Sequence, residues 1–130
     1  MSEQKTATGE GAKSRTKRIL IIEDERPLSH ALELKFTHEG FECMVANNGA
    51  EGLKEANTGK YAVILLDLIM PEMDGFTFLE QLKKKTPVIV LSNLGQTEDK
   101  ERAKALGAKD YLVKSNTPIT EIVKIVKTLL

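Results

Sequence analysis

The chain has 130 residues, of which 41% are apolar and 29% charged, the ordinary range for one globular domain with a sizeable core. Its single Cys excludes a disulfide framework and any paired-cysteine zinc or redox motif. Nineteen basic residues balance nineteen acidic ones, and the longest apolar run, Ala62–Leu66, is far short of the roughly 20 residues a membrane span needs. With no secretory h-region near the start, the expected location is cytoplasmic, with no membrane association and no direct binding to nucleic acid.

The charge is unevenly spread. Residues 1–18 carry five basic and two acidic side chains, and residues 19–130 carry 14 and 17. The first piece is rich in Ser, Thr, Gly and Lys with nothing to bury, so residues 1–17 are expected to be a disordered tail and residues 18–130 the folded domain.

From Arg18 onward, short β-branched runs alternate with helical patterns. Ile19–Ile22 is too short for a helix and reads as a buried strand. Pro27 suits the first turn of a helix running to about Glu39 and stopping at Gly40. Phe41–Ala46 alternates as a weaker strand near an edge. Asn48 with Glu51 three residues on predicts the start of a second helix, closed by Gly59. Ala62–Leu66 is the strongest strand, ending at Asp67. Asp74-Gly75 opens a third helix whose last turn is expected to be Lys83-Lys84-Lys85, complementing the negative end of the helix dipole. Pro87–Leu91 predicts the fourth strand. Thr97-Glu98-Asp99 is expected to cap a polar fourth helix ending near Gly107. Asp110–Val113 is the fifth strand, and Pro118 starts a last helix with Ile119, Ile122, Val123, Val126 and Leu129 at helical spacing. Ile125 falls off that stripe and reads as singly exposed or as part of a partner surface.

Five βα units whose strands are continuous apolar runs require a parallel sheet covered on both faces. The fold class is therefore α/β: a five-stranded, parallel, doubly wound sheet of order 2-1-3-4-5 with five helices, in which ligands bind at the carboxyl ends of strands 1 and 3. The residues that follow each apolar run test this rule. Strand 1 ends in Glu23-Asp24-Glu25, strand 3 in Asp67, strand 4 in Ser92 and strand 5 in Lys114. Alone, the acids read evenly as helix caps or as a site, Ser92 more often as a cap or turn residue and Lys114 more often as a solvated lysine; the set, in this order, carries the reading.

Three carboxylates, Glu23, Asp24 and Asp67, at one crevice are electrostatically awkward. Two unit charges about 5 Å apart repel by about 3 kcal/mol at an effective dielectric of 20. Either the pKa values rise or a cation joins them. All-oxygen ligands in an incompletely enclosed site suit Mg2+, which retains waters and takes phosphate oxygens. Lys114 adds a point charge and Ser92 a hydroxyl for phosphoryl oxygens. The expected chemistry is acceptance of a phosphoryl group on a carboxylate, with Asp67 as nucleophile.

The pieces ILIIEDE (19–25), VILLDLIMPEMDG (63–75), PVIVLSN (87–93) and GAKDYLVKS (107–115) together resemble the response-regulator receiver domain of two-component signalling, over about residues 18–130. The resemblance implies a flavodoxin-like receiver fold in which Asp67 is the phosphoacceptor, charged by a sensor histidine kinase or a histidine phosphotransfer protein. It implies Mg2+ held by Asp24, Asp67, the backbone carbonyl of Ile69, and Glu23 directly or through water. Lys114 would pair with the phosphoryl oxygens, Ser92 would swing to hydrogen-bond them, and Tyr111 would follow it inward. That pair would bias helix 4, strand 5 and helix 5 between two surfaces, for a downstream output protein or a homodimer. The implied activity is the domain's own phosphorylation and dephosphorylation, with no turnover of another substrate.

Four positions depart from the family pattern. Ser115 stands where the family usually has a Pro joined by a cis bond; cis before a non-proline residue costs about 2.5–4 kcal/mol, so this loop is expected to differ or stay trans. Asn93 is larger than the small residue often found there. Ile69 and Leu94 are apolar where some members position the attacking water, which is expected to slow loss of the phosphoryl group. An atypical receiver acting as a phosphorylation-independent binding module is the alternative. A haloacid-dehalogenase-type phosphatase would want a second Asp where Ile69 stands, and a flavin-binding loop would not place three acids after strand 1. If the chain is whole, its signal is expected to pass to another protein by binding; if it is a fragment, to a further domain. Cys43 is expected to pack, His30 and His38 to be surface residues, and the lysine run to be solvated.

Overall fold

A computed structural model of the chain describes residues 16–130. The expected tail, residues 1–17, lies outside the described residues except for Thr16 and Lys17. The elements are β1 (Arg18–Ile22), α1 (Arg26–His38), β2 (Glu42–Ala46), α2 (Gly49–Ala56), β3 (Val63–Leu66), α3 (Gly75–Gln81), β4 (Val88–Ser92), α4 (Thr97–Ala105), β5 (Asp110–Val113), a 3-10 turn (Lys114–Asn116) and α5 (Ile119–Thr128). All strand pairs are parallel and the order is β2-β1-β3-β4-β5, as the apolar runs predict.

Alternation along each strand divides the core. Leu20, Ile22, Ile64, Leu66, Val88 and Val90 face α2, α3 and α4, where they meet Ala56, Phe76, Phe78, Leu79 and Ala103. Ile19, Ile21, Val63, Leu65, Ile89 and Leu91 face α1 and α5, meeting Leu32, Phe36, Ile122, Val123 and Val126. Each fully buried side chain of this size contributes about 1.5–3 kcal/mol, and β1 and β3 spend nearly all of theirs on both faces at once. β2 is one of the two edge strands: its alternate residues stay half exposed, and Arg18 pairs across to Glu42 at 3.3 Å.

The register sets the site. Ile22 pairs with Leu66 and Leu66 with Val90, while Ser92 pairs with Val113. Glu23 and Asp67 therefore leave the sheet side by side, and Lys114 leaves it one residue beyond the end of β4. The start of α3 is pinned beneath them. The Gly75 N–H donates to the Leu68 carbonyl at 2.9 Å, and a Cβ on Gly75 would stand 2.8 Å from Leu68 Cα and 2.9 Å from the Asp67 carbonyl oxygen. Only glycine permits that approach.

Four local expectations need correction. Helix α3 stops at Gln81, so Lys83–Lys85 lie beyond it. Leu82 turns extended (φ −68°, ψ 124°) and packs against the core, and Asn57 Oδ1 accepts the Lys83 N–H at 2.9 Å in place of a helical carbonyl. The N-cap of α4 is Gln96, whose carbonyl takes the Asp99 and Lys100 N–H groups; Thr97, Glu98 and Asp99 form its first turn. Pro118 is the N-cap of α5, not its first residue. Ile125 is half buried and packs against the α1/α5 side of the core. Asn48 caps α2 as expected, accepting the Glu51 N–H at 2.9 Å. No peptide bond among the described residues is cis, Lys114–Ser115 included, and that loop is a 3-10 turn. Cys43 is half buried, with its Sγ near Thr37 Oγ1 and the Glu33 carbonyl, and both histidines are exposed.

Candidate functional site

Glu23 is 2% exposed, Asp67 5% and Ser92 0%, so three polar side chains at the strand ends are largely withdrawn from water. Burial of this kind is costly without partners, and each has them. Glu23 Oε2 accepts the Glu25 N–H at 3.0 Å, and its Oε1 lies 2.8 Å from Lys114 Nζ. Asp67 Oδ1 accepts the Ile69 N–H at 3.3 Å, and Oδ2 lies 3.5 Å from the same ammonium. Ser92 Oγ accepts the Leu94 N–H at 3.2 Å, and its hydroxyl also hydrogen-bonds with the Tyr111 side chain. Asp24 is half buried.

The charges do not balance. Burial pushes Glu23 from 4.5 up to about 7, with the Lys114 hydrogen bond and the Glu25 N–H opposing and the Asp67 charge adding. Burial raises Asp67 as well, against Lys114 and the Ile69 N–H, and Asp24 adds to the rise. For Lys114 burial acts downward, but the hydrogen bond to Glu23 and the charges of Asp67 and Glu23 outweigh it, so the ammonium is held above its usual value. One cation serves several acids, and a second cation would relieve them.

One carboxylate oxygen from each of Glu23, Asp24 and Asp67 lies within 4.8 Å of the other two. That spacing lets three oxygens share one ion, and an all-carboxylate donor set fits a hard divalent cation that keeps part of its water shell. Asp24 and Asp67 line a cavity of about 240 Å³ together with Ile69, Ser92, Asn93 and Lys114. Ile69 is 58% exposed at its edge. A larger cavity, about 400 Å³, opens at the opposite end of the sheet beside Leu82, Pro87 and Lys109. It has no carboxylate in its lining, so size does not mark the chemistry.

The structure thus brings together Glu23, Asp24, Asp67, Ile69, Ser92 and Lys114 at one rim. Tyr111 sits one step away. Its ring is buried, its hydroxyl donates to the Leu94 carbonyl, and burial holds its pKa above 10. The Leu94 peptide therefore joins Ser92, through its N–H, to Tyr111, through its carbonyl. One rim residue and one rim contact escaped the sequence reading. Asn47, at the end of β2, donates from Nδ2 to the Glu23 carbonyl at 3.0 Å, and reading the residue after every strand would have found it. Glu25 reaches Lys114 Nζ at 3.2 Å; no local pattern signals a contact between side chains so far apart in the chain.

The arrangement has relatives. The family model described as response regulator receiver domain matches residues 19–127. The transcriptional regulatory protein PcoR of Escherichia coli is 38% identical over 116 residues, which are 87% of this chain and 51% of that protein. The chain spans about half the length of the curated relatives it matches. Among solved structures, the receiver domain of the Francisella response regulator 1452 superposes with a TM-score of 0.82 at 36% identity, covering 88% of this chain and 96% of that one. A chain of the CheX–CheY–BeF3–Mg2+ complex from Borrelia burgdorferi superposes with a TM-score of 0.80 at 28% identity, covering 87% and 88%. The family model spans nearly all the described residues, and this chain belongs to the response regulator receiver domain family.

Proposed function

We propose that the protein is a phosphorylation-dependent signalling switch in which residues 18–130 are the receiver unit and Asp67 is the phosphoacceptor. One observation carries the reading: a buried carboxylate at the end of the central strand stands between the Lys114 ammonium and the Ile69 N–H, beside two further acids.

The donor would be the phosphohistidine of a sensor histidine kinase or a histidine phosphotransfer protein. An Asp67 carboxylate oxygen attacks phosphorus, the P–N bond breaks as the O–P bond forms, and the imidazole leaves with the electron pair of the old bond. Asp24, Asp67, the Ile69 carbonyl and Glu23, directly or through water, would hold Mg2+; a divalent ion of this kind neutralises charge on the phosphoryl oxygens. The Borrelia complex, named with both BeF3 and Mg2+, supports this assignment by similarity. Lys114 binds one phosphoryl oxygen, and the Ser92 hydroxyl turns from Tyr111 to another. Because Ser92 and Tyr111 share the Leu94 peptide, reorienting Ser92 disturbs the Tyr111 hydrogen bond and with it the surface of α4, β5 and α5, where an output protein or a second copy would dock. The chain would modify only itself and work in the cytoplasm.

The test is intact-protein mass after incubation with acetyl phosphate, with and without Mg2+, beside Asp67→Ala. A gain of one phosphoryl mass that requires both Mg2+ and Asp67 is expected. No gain, from acetyl phosphate or from phosphohistidine donors, would instead identify a constitutive binding module.

A further inference from the structure

We propose that Glu25 is a positioning residue that competes with the incoming phosphoryl group for Lys114, and so sets how fast the site is charged. The inference rests on Asp67 being the phosphoacceptor. An ammonium has three N–H donors, and three carboxylate oxygens surround Lys114 Nζ: Glu23 at 2.8 Å, Glu25 at 3.2 Å and Asp67 at 3.5 Å. Glu23 and Glu25 take its two shorter contacts and Asp67 the longest, so a phosphoryl oxygen gains a close approach to Lys114 when one of these acids lets go. Glu23 is held: it is sealed from water, and its other oxygen already takes the Glu25 N–H. Asp67 is the reacting group. Glu25 is the remaining one, with 59% of its side chain exposed, so water replaces the lysine at little cost when the pair opens.

Two further observations separate this role from a structural one. Glu25 is the N-cap residue of α1, yet its side chain makes no cap hydrogen bond; the helix start is held by its backbone carbonyl, which accepts the Ser29 N–H at 2.9 Å. Substituting the side chain therefore leaves the helix intact. Glu25 also lines the cavity that the donor must enter, where its charge repels any anionic donor. Both effects slow charging, and both vanish with the charge.

The experiment measures the rate of phosphoryl labelling by acetyl phosphate at saturating Mg2+ in the wild type, Glu25→Gln and Glu25→Asp, with thermal unfolding of each. Glu25→Gln should label roughly two- to fivefold faster, the size expected for an exposed pair, with an unchanged melting temperature. Glu25→Asp, which keeps the charge, should stay near the wild-type rate. In about 1 M KCl, where the screening length is about 3 Å, the wild type and Glu25→Gln should converge. Equal rates at low salt, a rise in Glu25→Asp matching that of Glu25→Gln, or a gap that salt leaves untouched would overturn the role of Glu25 while leaving Asp67 as acceptor. A wild type that gains no phosphoryl mass at Asp67 would overturn both.

Discussion

Replacing Glu23 by Gln in the metal-free protein should stabilise it at alkaline pH and remove a pH dependence that the wild type shows. The Glu23 carboxyl titrates at 4.5 when unperturbed and at about 7 in the fold, chiefly because it is buried. A carboxyl raised in this way keeps its proton in the folded state after the unfolded chain has lost it. Its contribution is therefore best at low pH, declines as pH rises from about 4.5 to about 7, and is flat above. At 1.36 kcal/mol for each pH unit, the charged form at pH 8 costs up to about 3 kcal/mol, or roughly 10 °C in melting temperature for a domain of this size. Asp67, also raised by burial, adds a slope of the same sign. Glu39, lowered by its hydrogen bond to Lys127, acts in the opposite sense, but its window lies below 4.5. The assay is urea denaturation in EDTA at several pH values between 5 and 8, for the wild type and Glu23→Gln, an isosteric change that keeps the side chain's volume. The difference between the two isolates Glu23. A wild type whose stability is flat or rises from pH 5 to 7.5, or a variant that retains the full slope, would refute the reasoning.

Three more outcomes follow from the same geometry. Mg2+ at pH 8 should raise the melting temperature of the wild type, by about 2.7 kcal/mol in stability at a hundredfold excess over Kd; Asp24→Asn, which removes one converging acid, should lose most of that rise, and an equal rise in both would count against Asp24 as a ligand. Ile69→Asn should hasten loss of the phosphoryl group, followed as decay of the labelled mass, because it puts a hydrogen-bonding group for water where an apolar side chain now stands at the cavity edge; slower decay would argue that Ile69 does not limit water. Glu72 holds φ at +72°, a left-handed conformation that costs an ordinary residue about 1–2 kcal/mol, so Glu72→Asn should raise the urea midpoint by about 1 kcal/mol in stability without altering labelling; a drop would mean that the glutamate side chain earns its place in that turn.

Much of this site is legible in the sequence because a parallel sheet makes position along a strand equivalent to position in space. Once Ile19–Ile22, Ala62–Leu66, Pro87–Leu91 and Asp110–Val113 are seen as strands, Glu23, Asp67, Ser92 and Lys114 must emerge on one rim, and the observed register puts them there. What the pattern misses is decided by contacts between distant segments. The lysine run after Gln81 has every local reason to finish a helix, yet Leu82 gains more by turning into the core, and Asn57, on another helix's end, takes the orphaned N–H. Ile125 looks exposed on a helical wheel and is covered by packing against the α1/α5 side of the core.

Glu25 is the same kind of case at the site itself. Its local reading, a residue at the start of α1, is correct for the backbone. Its side chain is free of that task, and with Lys114 arriving from the far strand it becomes the most solvated of three acids around one ammonium. The buried members, Glu23 and Asp67, are fixed by what the sheet dictates, and they define what the site can do. The exposed one is held only by an interaction worth about 1 kcal/mol or less, which a single substitution can change without touching the fold. The chemistry of the site thus resides where the sequence pattern is strongest, and its rate can be adjusted where the pattern is silent.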